Sequence, residues 1–149
     1  MNVKLRVMLY AHKDQVYIPI LGISDQGFPY DTAELLISSL DRAKLSKTID
    51  KAISYGNPKI PHPTQEEFRK RTRVQTALGT SSSKTMAKRG VVTFMLYWTN
   101  ENLYIAFSPE STKDVQLINY TNAIRLPRDT ASEIIATRVL AELESRKEQ

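Results

Sequence analysis

Apolar positions along the chain concentrate in two stretches of the same layout, VMLYAHKDQVYIPI from Val7 to Ile20 and FMLYWTNENLYIAF from Phe94 to Phe107. Each is an apolar run, a short polar spacer and a second apolar run. Runs of this length, rich in Val, Ile, Leu and Tyr around a turn-sized spacer, predict β-hairpins. The first pairs Val3 to Tyr10 with Gln15 to Ile23 across HKD, and the second pairs Val91 to Thr99 with Leu103 to Ser108 across NEN. Pro19 has no N–H to give to a ladder, so its strand is expected at a sheet edge or with a bulge.

The pattern changes after each hairpin. In SDQGFPYDTAELLISSLDRAK, Asp31 and Glu34 stand at capping-box spacing, and Leu35, Leu36, Ile37, Leu40 and Ala43 supply an apolar face. This predicts a helix from Asp31 or Thr32 to about Lys44, resumed through Lys47 to Ser54. YGNPKIPHPTQ, with three prolines, reads as an irregular connection, Glu66 to Leu78 as a short basic helix, and GTSSSK as a loop of weak structural preference. Val115 to Leu126 has the composition of one or two further strands. After Pro127, Thr130 and Glu133 repeat the capping-box spacing ahead of a terminal helix lined by Ile134, Ile135, Val139 and Leu143.

The hairpins echo each other at an offset of 87 residues (MLY at 8 and 95, YI at 17 and 104), whereas DTAELLI and DTASEII lie 98 apart. The 11-residue difference is about what one extra strand in the second half requires. The expected fold is α+β, a mainly antiparallel sheet from two hairpin-plus-helix halves with helices packed on it. A chain of 149 residues suits a single domain. Its halves are expected at about 1–56 and 91–149, joined by a basic connector at about 57–90. Met, Leu, Tyr and Ile in the echo are explained as sheet residues, and Asp-Thr-Ala as helix caps.

The formal charge of +5 is unevenly placed. Between Glu66 and Gly90, Arg69, Lys70, Arg71, Arg73, Lys84, Lys88 and Arg89 face only two glutamates, so this segment carries the whole excess and the rest is neutral. These seven residues are the candidate partner-binding set. A cluster of this kind can neutralise phosphates, with Tyr10, Tyr17, Tyr97, Trp98 and Tyr104 on adjacent strands as stacking surfaces for single-stranded bases. It can equally solvate a connector while the aromatics fill the core.

Candidate chemistry is sparse. The absence of cysteine removes disulfides and thiolate chemistry and fits a reducing compartment. Neither a signal peptide nor an apolar run of membrane-spanning length is expected, which predicts a cytoplasmic protein with no membrane partner. His12 and His62 could in principle serve as acid and base for RNA cleavage, but one falls in a hairpin turn and the other between prolines, positions that favour solvent-facing loop residues. No phosphate loop, dinucleotide fingerprint or serine elbow is present. No catalytic residue, metal site or cofactor is expected.

Three segments carry a resemblance: EEFRKRTRVQTALGTSSSKTMAKRG, with its glycine and then Lys84, Met86 and Lys88; LYIAFSP; and IRLPRDTASEIIATRVLAELESR. A looser fourth is VYIPILGISDQGFPYDTAELLISSLDRAK. In layout the chain resembles the immunity proteins of bacterial contact-dependent growth inhibition systems, the group paired with ribonuclease-type toxins. The resemblance implies a small cytoplasmic α+β protein without enzymatic activity that binds a cognate toxin domain and blocks its active site or substrate face. An inhibitor of such a toxin is expected to offer an acidic surface, for which Asp14, Asp25, Asp31, Glu101 and Glu110, at hairpin ends, are the candidates.

Overall fold

A computed structural model describes residues 2–80, 86, 88–108 and 119–147. In chain order the elements are β1 (Leu5–His12), β2 (Gln15–Ser24), β3 (Pro29–Ser39), α1 (Arg42–Tyr55), β4 (Lys59–Ile60), α2 (Gln65–Arg69), α3 (Arg73–Leu78), β5 (Val92–Trp98), β6 (Asn102–Phe107), β7 (Asn119–Pro127) and α4 (Ser132–Lys147). Among the described residues the strands form one sheet ordered β3-β2-β1-β5-β6-β7, antiparallel throughout, with β4 added parallel to the end of β2. The architecture is α+β.

Period-two alternation sorts the side chains. Val7, Leu9, Val16, Ile18, Phe94, Leu96, Leu103 and Ile105 point to one face, where α1 and α4 cover them with Leu45, Ile49, Ile135 and Val139. Burying a side chain of this size stabilises by about 1.5–3 kcal/mol, so this layer holds most of the core. The two helices pack against each other, and the Ser132 hydroxyl donates to the Asp50 carboxylate between them. On the opposite face, Val74 and Leu78 of α3 join Met86 and Val91 over Tyr10, Tyr17 and Leu35.

Both expected hairpins form. Lys13 takes a left-handed conformation in the first turn (φ 56°), and the β2–β3 register shifts between Pro19 and Leu21, the bulge that Pro19 calls for. The expected helix from Asp31 does not form: residues 29–39 are β3, paired with β2 from Gln15↔Ser39 to Ile23↔Pro29. The Leu35-Leu36 run that resembles a helix face is a strand apolar on both sides, Leu36 in the main core and Leu35 beneath α3. Helix α1 starts later, capped by Asp41, whose carboxylate accepts from the Lys44 N–H at 3.0 Å, and it stops at Gly56, φ 66°.

The single basic helix expected over Glu66 to Leu78 is two short ones, because each half has its own threonine capping box, Thr64 with Glu67 and Thr72 with Gln75, and Lys70 between them is extended. Of the strand expected over Val115 to Leu126, residues 115–118 lie outside the described residues, as do GTSSSK from Ser81 onward and Glu110.

The extra strand is thus not confined to the second half, since among the described residues each half runs β-β-β-α. β1 and β5 start at residues 5 and 92, β2 and β6 at 15 and 102, and α1 and α4 at 42 and 132. The repeat keeps an offset of 87 to 90 residues, and the DTA match 98 residues apart joins a strand in one half to the lead-in of a helix in the other. Met8 pairs directly with Met95 across β1 and β5. Because these two are also equivalent in the repeat, an approximate two-fold axis passes between them.

Candidate cleft over the two-fold axis

The repeat makes Tyr10 and Tyr17 equivalent to Tyr97 and Tyr104, and both are directly opposed cross-strand pairs. Their environments differ. The first pair lies under α3, within the second apolar cluster. The second pair stacks on itself, ring centroids 5.0 Å apart and planes 10° apart, with Tyr120 of β7 edge-on to Tyr97 at 5.9 Å. Tyr120 is 55% exposed.

Where α3 ends its cover, the sheet opens into two hollows that share Arg6, Met95 and Tyr120. The smaller, about 280 Å³, is completed by Val3 and Tyr97. The larger, about 550 Å³, extends over Met8, Tyr10, Tyr30, Asp31 and Thr72. Its floor is the Met8–Met95 pair on the axis. One wall is the second half's tyrosines, and the other is the β2–β3 hairpin with the connector.

Several contacts fix the connector wall. Asn57 sits where β1 and β2 diverge: its Oδ1 accepts from the Arg6 N–H at 2.8 Å, and its Nδ2 donates to the carbonyls of Arg6 (2.9 Å) and Leu21 (3.1 Å). One side chain therefore replaces the ladder bonds missing there. The Tyr30 hydroxyl donates to the Glu67 carbonyl, and Phe28, Tyr30, His62 and Phe68 pack edge to face. Ser24 Oγ lies 3.0 Å from His62 Nδ1 and accepts from the N–H groups of Gln26 and Phe28. This ties the proline-rich segment to the β2–β3 turn.

Asp31 is the unusual group in the cleft. Burial raises its carboxyl from 3.8 to about 6, a shift that the backbone N–H of Arg73, donating to the carboxylate, only partly opposes. Its Oδ2 is buried and has no hydrogen-bond partner. Burial, and secondarily the Asp31 charge, pushes the Tyr10 hydroxyl up to about 12. Tyr30 is raised by desolvation and then by Glu67 and Asp31, and Tyr97 by desolvation and then by Tyr104 and Tyr120.

The sequence-based candidates separate in space. Arg69 ends α2, Lys70 and Arg71 follow it, and Arg73 begins α3; all four are exposed on the connector that forms the cleft wall. Lys84 lies outside the described residues. Lys88 and Arg89 are exposed beyond α3, and the Arg89 guanidinium donates to the Leu78 carbonyl at 2.9 Å, satisfying a helix end.

The five aromatics do not share a stacking surface. Trp98 is in the core on the helix-covered face, Tyr10 and Tyr17 are under α3, and Tyr97 is 5% exposed. His12 and His62 lie at opposite ends of β2, roughly 30 Å apart by strand rise, too far to act on one bond. Asp31 is on a strand facing the cleft, not in a hairpin-end loop with Asp14, Asp25 and Glu101. Among the described residues no group of three or more His, Cys, Asp or Glu could hold a metal ion, and no helix is long and apolar enough to cross a membrane.

Sequence reasoning did not find Asn57, Tyr120 or the cleft role of Asp31. The Tyr10–Tyr17 and Tyr97–Tyr104 spacing, identical in the two halves, was the available signal for the tyrosine platforms.

No protein-family model and no curated protein sequence matches the chain. Solved structures that share its fold include the following two. A protein of unknown function from Neisseria meningitidis matches with a TM-score of 0.59 at 15% identity, over 92% of this chain and 93% of that one. A chain of the CdiA-CT/CdiI toxin and immunity complex from Yersinia pseudotuberculosis matches with a TM-score of 0.60 at 12% identity, over 97% of this chain and 99% of that one. At these identities the likeness is one of fold, and it extends over nearly the whole of each chain.

Proposed function

We propose that this chain is an immunity protein that binds and neutralises the cognate toxin domain of a contact-dependent growth inhibition system, a nuclease, by stoichiometric association and without catalysis. The observation that carries the reading is the near end-to-end fold correspondence with a chain from a toxin and immunity complex. It agrees with the layout resemblance carried by the connector, the LYIAFSP strand and the terminal helix. In this reading the exposed Arg69, Lys70, Arg71 and Arg73 meet an acidic area of the toxin, and the exposed Lys88 extends that contact. Electrostatic matching of this kind governs encounter rate and partner choice more than final affinity.

The test is co-expression with the toxin domain encoded beside this chain's gene. Cells should survive toxin induction only when this chain is present, and the two proteins should co-elute as a defined complex that lacks nuclease activity. Toxin-induced death in its presence, together with no co-elution, would sink the proposal.

A further inference from the structure

We infer that the cleft over Met8 and Met95 receives a basic side chain, arginine or lysine, from the protein partner, with the Asp31 carboxylate as its counter-ion. This assignment rests on the immunity reading for the partner's identity and on the cleft itself for the chemistry.

Asp31 has a structural task that does not explain it. It accepts the Arg73 N–H at the start of α3. That task needs one oxygen and no charge, so asparagine would perform it. The other oxygen, Oδ2, is buried without a donor. A buried carboxylate oxygen in this state is costly, and structures retain such groups where a partner charge completes them.

Among the described residues no cation pairs with Asp31. Arg6 lines the same cleft from β1, but the Asn57 amide separates it from Leu21, the β2 neighbour of Asp31. Its backbone is therefore at least two strand spacings, about 10 Å, from that of Asp31. Arg73 offers its N–H while its side chain is exposed, and neither arginine forms an ion pair with Asp31. The other described groups that feel the Asp31 charge are Tyr10 and Tyr30, and the Tyr30 hydroxyl is already given to the Glu67 carbonyl.

The rest of the cleft suits a long basic side chain. Met8 and Met95 offer polarizable apolar surface to its methylene stem, and the exposed Tyr120 offers its ring to a guanidinium. The exposed cations on the connector add no attraction for a free cation, so a small cationic ligand enters only at high concentration. They favour a cation carried on a larger surface whose acidic residues meet that rim.

The experiment measures affinity for the toxin domain by calorimetry, for the wild type and for Asp31→Asn, across pH 5 to 8 and in two buffers of different ionisation enthalpy. Wild-type affinity should rise with pH through about 6, where free Asp31 ionises, and complex formation below that pH should release a proton. Asp31→Asn should fold normally, bind roughly 30-fold or more weakly at neutral pH and lose the proton release. In parallel, the Asp31 carboxyl is followed by carbon-13 NMR with N-acetyl-arginine N-methylamide at millimolar concentration, as a probe that needs no toxin. Its titration should move to lower pH.

A toxin complex that forms equally well with Asp31→Asn, with no linked proton, would overturn the cleft assignment and leave the immunity reading intact. Absence of any complex would overturn the immunity reading. The arginine probe would then decide the chemistry of the cleft, and an unmoved Asp31 titration would overturn that as well.

Discussion

Replacing Asp31 by asparagine isolates the stability cost of the cleft. The carboxyl moves from 3.8 unfolded to about 6 folded, roughly two units, and each unit corresponds to about 1.36 kcal/mol. The folded-state value is the higher one, so the folded protein holds the proton more tightly. The favourable contribution is complete below pH 3.8 and is lost as pH rises through about 6. At neutral pH the ionised carboxylate therefore costs the fold on the order of 2–3 kcal/mol relative to acid. Asparagine keeps an acceptor for the Arg73 N–H and has no such cost. Urea unfolding at intervals from pH 4 to 8 should give stability curves for the two proteins that diverge by about that amount as pH rises, in favour of Asp31→Asn. The corresponding difference in Tm is roughly 5–10 °C. Parallel curves over the whole range would show that Asp31 ionises as freely in the fold as outside it, and would refute the electrostatic description of the cleft.

Two further perturbations test other parts of the architecture. Asn57→Ala removes three hydrogen bonds to Arg6 and Leu21 at the point where β1 and β2 part, and at about 1 kcal/mol each it should destabilise by roughly 3 kcal/mol in urea unfolding. A loss below about 0.5 kcal/mol would mean that water replaces the amide at no cost. Neutralising Arg69, Lys70, Arg71 and Arg73 together should slow association with the toxin at least tenfold at low salt and flatten its ionic-strength dependence, with little change in dissociation. Stopped-flow traces with unchanged association rates would place the contact elsewhere.

The hairpins were legible because each strand alternates and each turn is short, and their equivalence followed from MLY and YI at a common offset. Asp31 to Ile37 was not legible. A capping-box spacing followed by three aliphatic residues satisfies a helix template, and only pairing with β2, together with cover from both α1 and α3, makes the same run a strand. The DTA echo misled for the same reason. Asp31 is in a strand and turned to the cleft. Thr130 stands before α4 with its hydroxyl on the Pro127 carbonyl. Asn57 could not be read from its neighbours, since its partners Arg6 and Leu21 are 51 and 36 residues away. The basic segment was visible in composition, but not its division into four exposed residues beside the cleft and one, Arg89, spent on a helix end.

The asymmetry between the halves shapes the cleft more than their likeness does. Two β-β-β-α units around an axis at Met8 and Met95 would give the two tyrosine pairs equivalent surroundings, yet among the described residues a helix covers only the first. The cover comes from the connector between α1 and β5, which therefore has three tasks. It buries Tyr10 and Tyr17, it raises one wall of the cleft, and it carries the exposed cations. Because α3 is held to the sheet by Val74 and Leu78, deleting the connector would expose apolar surface on β1, β2 and β3 and remove the cleft wall together. Loss of binding after such a deletion could not separate recognition from folding. Single-atom changes at Asp31 can make that separation, because they alter charge in the cleft while leaving Val74 and Leu78 to hold α3 in place.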